Sequence, residues 1–121
     1  MILLDSNVLI YLMNGQKPSL LTWVSQYEIA ISDITRIEVL GYHKLSDQQK
    51  YLGTRLIEMC TGLSVNQQVV QQAIMLKQQR PIKLGDALIA ATALSYRLPL
   101  ATYNTSDFVW TGVNLLELPL D

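Results

Sequence analysis

Short apolar runs alternate along this chain with longer amphipathic stretches, and that alternation constrains the fold more than any other feature. Ile2-Leu3-Leu4 is a continuous apolar run suited to a buried parallel strand. Residues 7–13 then carry helical spacing, and Asn14-Gly15 punctuates the end. A second helix is expected over 18–26, with Pro18 in its first turn. Residues 28–31 read as the second strand. Ser32 then takes a capping position before a helix over 33–42. Another helix is expected over 46–60, followed by a short strand at 63–65. Asn66 caps a helix that Pro81 ends near Arg80, and an alanine-rich helix runs over 84–97. Strands are expected at 98–102 and 114–118. Strands separated by helices imply an α/β fold with a mostly parallel central sheet and helices on both faces.

The 121 residues suit one domain over 1–121. Half are hydrophobic and only 16% are charged, which supports a packed core and argues against disorder. No apolar run approaches the ~20 residues needed to span a bilayer. Asp5 interrupts the start before a secretory signal could form, so a cytoplasmic protein is expected.

Cysteine and histidine occur once each, as Cys60 and His43. They exclude an internal disulfide and a zinc site of the usual kind. Both read as structural or surface residues. Chemistry must therefore come from carboxylates, hydroxyls and a metal.

Four of the ten acids stand apart by position. Asp5 directly follows the first strand, at the edge where open parallel sheets bind ligands. It is equally suited to capping the next helix. Glu38 falls at the edge of a helical face formed by Ile34, Ile37 and Gly41, although Thr35-Arg36-Ile37-Glu38 also fits a capping box. Asp86 heads a stripe of Ile89, Ala90 and Ala93, where it also suits the helix dipole. Asp107 follows the strand at 98–102 inside Asn104-Thr105-Ser106-Asp107, a segment that also reads as a polar turn. Four carboxylates converging on one sheet edge need cations or shifted pKa values. All-oxygen ligands point to Mg²⁺ or Mn²⁺.

Four segments resemble the PIN-domain ribonucleases. They are Ile2-Leu3-Leu4-Asp5-Ser6-Asn7-Val8-Leu9-Ile10; Ile31-Ser32-Asp33-Ile34-Thr35-Arg36-Ile37-Glu38-Val39-Leu40; Leu84-Gly85-Asp86-Ala87-Leu88-Ile89-Ala90-Ala91-Thr92-Ala93; and Ala101-Thr102-Tyr103-Asn104-Thr105-Ser106-Asp107-Phe108. They occur in the family's order and span nearly the whole chain. The nearest likeness is to VapC-type toxins of toxin–antitoxin pairs. The resemblance implies that Asp5, Glu38 and Asp86 are the core acids and Asp107 a fourth, more variable one. It implies supporting polar roles for Ser6, Asn7, Thr102 and Asn104. It further implies Mg²⁺- or Mn²⁺-assisted hydrolysis of RNA phosphodiesters, an antitoxin partner and a homodimer. Glutamine-rich middle helices (Gln48-Gln49, Gln67-Gln68, Gln71-Gln72) depart from any fixed pattern there.

The net charge of −1 is not the basic footprint of a nucleic-acid binder. Arg80, Lys83 and Arg97 flank the third segment as candidate phosphate contacts; they are also ordinary residues for helix ends. Tyr11, Trp23 and Tyr27 are candidates for a dimer or antitoxin surface, or for core packing. Two other functions remain open. An aspartate-nucleophile phosphohydrolase would want a second acid at Asn7, which cannot protonate a leaving group. A non-catalytic PIN-fold module that binds protein or RNA is the stronger alternative.

Overall fold

The structure, a computed structural model, describes residues 1–121. In chain order the strands are β1 (Ile2–Leu4), β2 (Ile29–Ser32), β3 (Thr61–Leu63), β4 (Leu100–Ala101) and β5 (Leu115–Leu116). The helices are α1 (Ser6–Asn14), α2 (Pro18–Val24), α3 (Asp33–Leu40), α4 (Asp47–Glu58), α5 (Gln67–Gln79), α6 (Leu84–Tyr96) and α7 (Thr105–Phe108). A 3₁₀ turn, Val109–Thr111, follows α7.

All strand pairs are parallel, in the order β3-β2-β1-β4-β5. The period of two along each strand divides the core. Leu3, Ala30 and Leu100 point to one face, where Val69, Ala73 and Leu76 of α5 and the buried alanines of α6 cover them. Ile2, Leu4, Ile31 and Ala101 point to the other, under Val8 of α1 and Leu20 and Val24 of α2. A third apolar group, Leu9, Met13 and Val39, joins α1 to α3. The α/β fold with helices on both faces is therefore present, and the sheet is wholly parallel.

Local chemistry explains most helix ends. Gly15 closes α1 in the left-handed region at φ 64°, as the Asn14-Gly15 signal indicates. The Ser32 side chain caps α3, and Ser46 with Gln49 forms a capping box on α4. Asn66 caps α5 by accepting from the Val69 N–H.

Several expectations require correction. The third strand lies at Thr61–Leu63, earlier than 63–65, because it pairs Thr61 with Ala30 and Leu63 with Ser32. As an exposed edge strand it lacks an apolar signature. The helix expected to reach Gln26 stops at Val24, and that expected to reach Tyr42 stops at Leu40. Strands β4 and β5 are each only two residues long. His43 lies in a turn rather than a helix.

Candidate acidic active site

The strand order reverses beside β1. The chain leaves β1 toward β2 and β3 and returns on the other side as β4. Such a switch point opens a crevice at the carboxyl ends of the strands. Asp5 and Thr102, which follow β1 and β4, stand side by side there. The Asp5 N–H donates to the Ala101 carbonyl at 3.0 Å, fixing the two strand ends together. The Thr102 hydroxyl donates to Asp5 Oδ2 at 2.8 Å, and Asp5 Oδ1 accepts from the Ser6 N–H at 2.8 Å. Asp5 is thus both the cap of α1 and a member of the site.

Asp5 is almost fully buried. Burial drives its carboxyl above the ordinary carboxylate range; the hydrogen bonds from Thr102 and Ser6 oppose this, and the charges of Asp86 and Glu38 add to it. The Thr102 hydroxyl is itself aimed by the Asn104 backbone N–H, which donates to it at 3.0 Å. Asn104 therefore contributes its main chain, and its side chain is exposed, as is that of Asn7.

Glu38 reaches the crevice from α3, but not on the face expected. Ile37 is 67% exposed, and the helix buries Thr35 and Val39 instead. Glu38 lies three residues past Thr35 and hangs over that same side. Its Oε1 accepts from the Ser6 hydroxyl at 2.7 Å, and that hydroxyl lies 3.2 Å from the Thr35 hydroxyl. Thr35 is not the helix cap that the T-x-x-E pattern offers; Ser32 is. Thr35 instead supports Ser6 from below, a role the pattern concealed.

Asp86 lies in the first turn of α6, where the helix dipole favours a negative charge. Burial raises its pKa most, then the Asp107 charge; Lys83 lowers it, and Glu38 raises it again. Asp107 occupies the first turn of α7, a short helix rather than a polar turn. Gly85 opens the space between α6 and α3. A Cβ there would stand 2.9 Å from Glu38 Oε2, so a larger residue would make that flexible carboxylate shift. Its importance is invisible in sequence because the close neighbour is 47 positions away in the chain.

Lys83, Asp86, Ser106 and Asp107 share one open cleft with Arg80 and Trp110. Arg97 does not join them. It ends α6 in the left-handed conformation, about 16 Å from Asp86 along the helix at ~1.5 Å per residue. A depression of about 530 Å³ is an apolar groove lined by Leu12, Leu21, Tyr27 and Met59, and it adjoins none of Glu38, Asp86 and Asp107. Trp23 packs against Tyr27 with the rings tilted, whereas Tyr11 packs edge-on against Tyr103 under Lys17. Cys60 is half-buried and distant from the acids' hydrogen-bond network.

The donor set suits a hard divalent cation in kind: carboxylates, hydroxyls and no nitrogen or sulfur. No three of the acids stand gathered as a ready cage. Glu38, Asp86 and Asp107 all reach solvent, whereas Asp5 is buried and fixed by its hydrogen bonds.

Fold and site together define an α/β domain with an acidic crevice at its topological switch point. The chain belongs to the PIN-domain family, whose profile matches residues 2–109. Members of this family are generally metal-dependent nucleases. Among solved structures, a toxin–antitoxin complex from Klebsiella pneumoniae contains a chain 32% identical, with TM-score 0.78 over 89% of this chain and 90% of that one. VapBC-1 from nontypeable Haemophilus influenzae is 30% identical, with TM-score 0.79 over 97% and 98%. VapBC2 from Rickettsia felis, bound to a promoter DNA fragment, is 22% identical with TM-score 0.82 over 97% and 98%, a likeness of fold alone. No curated protein sequence matches the chain.

Proposed function

We propose that this protein is a Mg²⁺- or Mn²⁺-dependent endoribonuclease and the toxin of a toxin–antitoxin pair. The observation that carries the reading is the hydrogen-bonded crevice in which Asp5, Glu38, Asp86 and Asp107 act on one another electrostatically. In this reading the four carboxylates hold the cation, and Asp5 is the fixed member. Thr102 and Ser6 hold Asp5 in one rotamer, and Ser6 does the same for Glu38. Lys83, which faces Asp86, orients a substrate phosphate, with Arg80 beside it. A bound divalent ion supplies a more acidic water and neutralises charge on the phosphoryl oxygens. No protein nucleophile is needed.

The toxin assignment draws on the Klebsiella and Haemophilus complexes, both at least 30% identical over most of the chain. It gives this protein an antitoxin as partner, a second copy of itself as a homodimer, and a cytoplasmic site of action. No helix is long and apolar enough to cross a membrane. A non-catalytic PIN-fold module would need Thr102 only to satisfy the buried Asp5 cap and would have no use for Asp86 and Asp107 beside it.

The test is incubation of total cellular RNA with purified protein in Mg²⁺, Mn²⁺ or chelator, alongside Asp5→Asn. Discrete fragments that need metal and vanish in the variant are expected. Intact RNA in every metal, from folded protein free of antitoxin, returns the module reading.

A further inference from the structure

Beside the acids lies a feature that the nuclease reading uses only for its charge. The Arg80 guanidinium sits over the Trp110 ring, 4.7 Å from its centroid. The indole is fixed twice. Its Nε1 donates to the Asp107 carbonyl at 3.1 Å, and the ring packs against the core cluster that holds α6 to the sheet. Arg80 itself is exposed and forms no ion pair; the molecule's one ion pair joins Arg36 to Asp33. The guanidinium therefore lies within cation–π range of the indole. Its N–H donors are without protein partners and open to solvent. Both residues line the same cleft as Asp86 and Asp107.

We propose that Arg80 and Trp110 form a stacking platform for an unpaired base of single-stranded RNA next to the scissile phosphate. The inference rests on the proposed nuclease site for its neighbour and deepens that site's substrate class. A guanidinium held over an indole is flat and cationic, which is the surface that base faces and phosphates both favour. Bases inside a duplex are stacked on one another and cannot reach it. Lys83, across the cleft, meets the backbone. Little ordering is needed on binding, because the core and the Asp107 carbonyl already hold the indole.

The test separates stacking from charge and binding from cleavage. Affinity is measured by fluorescence anisotropy in chelator, with a short dye-labelled oligoadenylate and an abasic ribose-phosphate strand of equal length and charge. The wild type is expected to bind oligoadenylate about tenfold tighter than the abasic strand. Arg80→Lys keeps the charge and the fold but loses the plane, so the preference should fall toward one while abasic affinity stays. Trp110→Leu should do the same, and Trp110→Phe should retain part of it. In a Trp23→Phe background, oligoadenylate should quench the remaining tryptophan. Equal affinity for both strands in the wild type overturns the platform, as a docking site for a protein segment would predict. So does a preference unchanged in Arg80→Lys and Trp110→Leu. The same oligoadenylate is then incubated with Mn²⁺, next to total RNA. Metal-dependent cleavage of RNA with no base preference leaves the nuclease and removes the platform. Base preference without cleavage of any RNA keeps the platform and removes the nuclease.

Discussion

At neutral pH the buried carboxyl of Asp5 costs the fold stability. Its pKa in the folded chain lies above the ordinary 3.8, chiefly because it is buried. Below both values it is protonated in both states and costs nothing. As pH rises through 3.8 the unfolded chain releases the proton first, so stability falls until the folded pKa is passed. Asp5→Asn removes this term. In chelator, the variant should melt above wild type at pH 7, and the gap should close as pH approaches 4 (expected from the ordinary value of ~3.8). Added Mn²⁺ should raise the wild-type melting temperature and leave the variant where it was. A wild type more stable at neutral pH without metal contradicts this account. Gly85→Ala separates stability from activity. The added methyl favours helix by about 0.5–1 kcal/mol but makes the Glu38 carboxylate shift from its close approach to α6. The denaturation midpoint should hold or rise while cleavage drops about tenfold. At this scale the sequence showed Asp5 well, because an acid after an apolar run marks a strand's carboxyl end. It misled on Glu38. Ile37 suggested an inward face, yet single apolar residues are common on surfaces, and Thr35 took the interior instead.

Helix α6 joins the site to the core. Ala87, Ala90, Ala91 and Ala93 are all buried, so the helix lies close to the sheet and to α5. Ala90→Leu should overpack that contact and cost about 1–3 kcal/mol by urea denaturation. A change within error there would mean that the helix is not held so closely. By contrast, Ser46→Ala removes the capping box of α4, which makes no hydrogen bond to the acids, at about 1 kcal/mol and with unchanged cleavage. Helices with caps and clear periodicity were legible almost to the residue, as Asn66 before α5 and Gly15 after α1 show. Short elements were not. Strand β3 is exposed, so its residues carry no apolar signal; its position comes from pairing with β2, which is a long-range fact. Helix α7 is one turn long and too short for a period, so Thr105-Ser106-Asp107 reads as a turn.

The whole molecule carries a net charge of −1, yet is proposed to act on a polyanion. The structure reduces three candidate basic contacts to two, Arg80 and Lys83, because Arg97 stands at the far end of α6. Two phosphate contacts on a single strand give a log–log salt slope of about −1.4 at ~0.7 per contact. A titration of oligoribonucleotide binding against salt should show that shallow slope, and one several times steeper would require a basic surface this fold does not present. The alternation of strand and helix made the α/β class and the sheet's parallel sense readable. The strand order was not readable, and it is the order that brings Asp5 beside Thr102 and sets α3 against α6. The central claim is that these acids act together through a divalent cation on RNA. It is tested most directly by single-turnover cleavage of one RNA in Mn²⁺ by wild type and by Asp5→Asn, Glu38→Gln, Asp86→Asn and Asp107→Asn, each confirmed folded. The account predicts losses of about 100-fold or more at Asp5, Glu38 and Asp86, and a smaller loss at Asp107. Full-rate cleavage by Asp5→Asn and Asp86→Asn would contradict it.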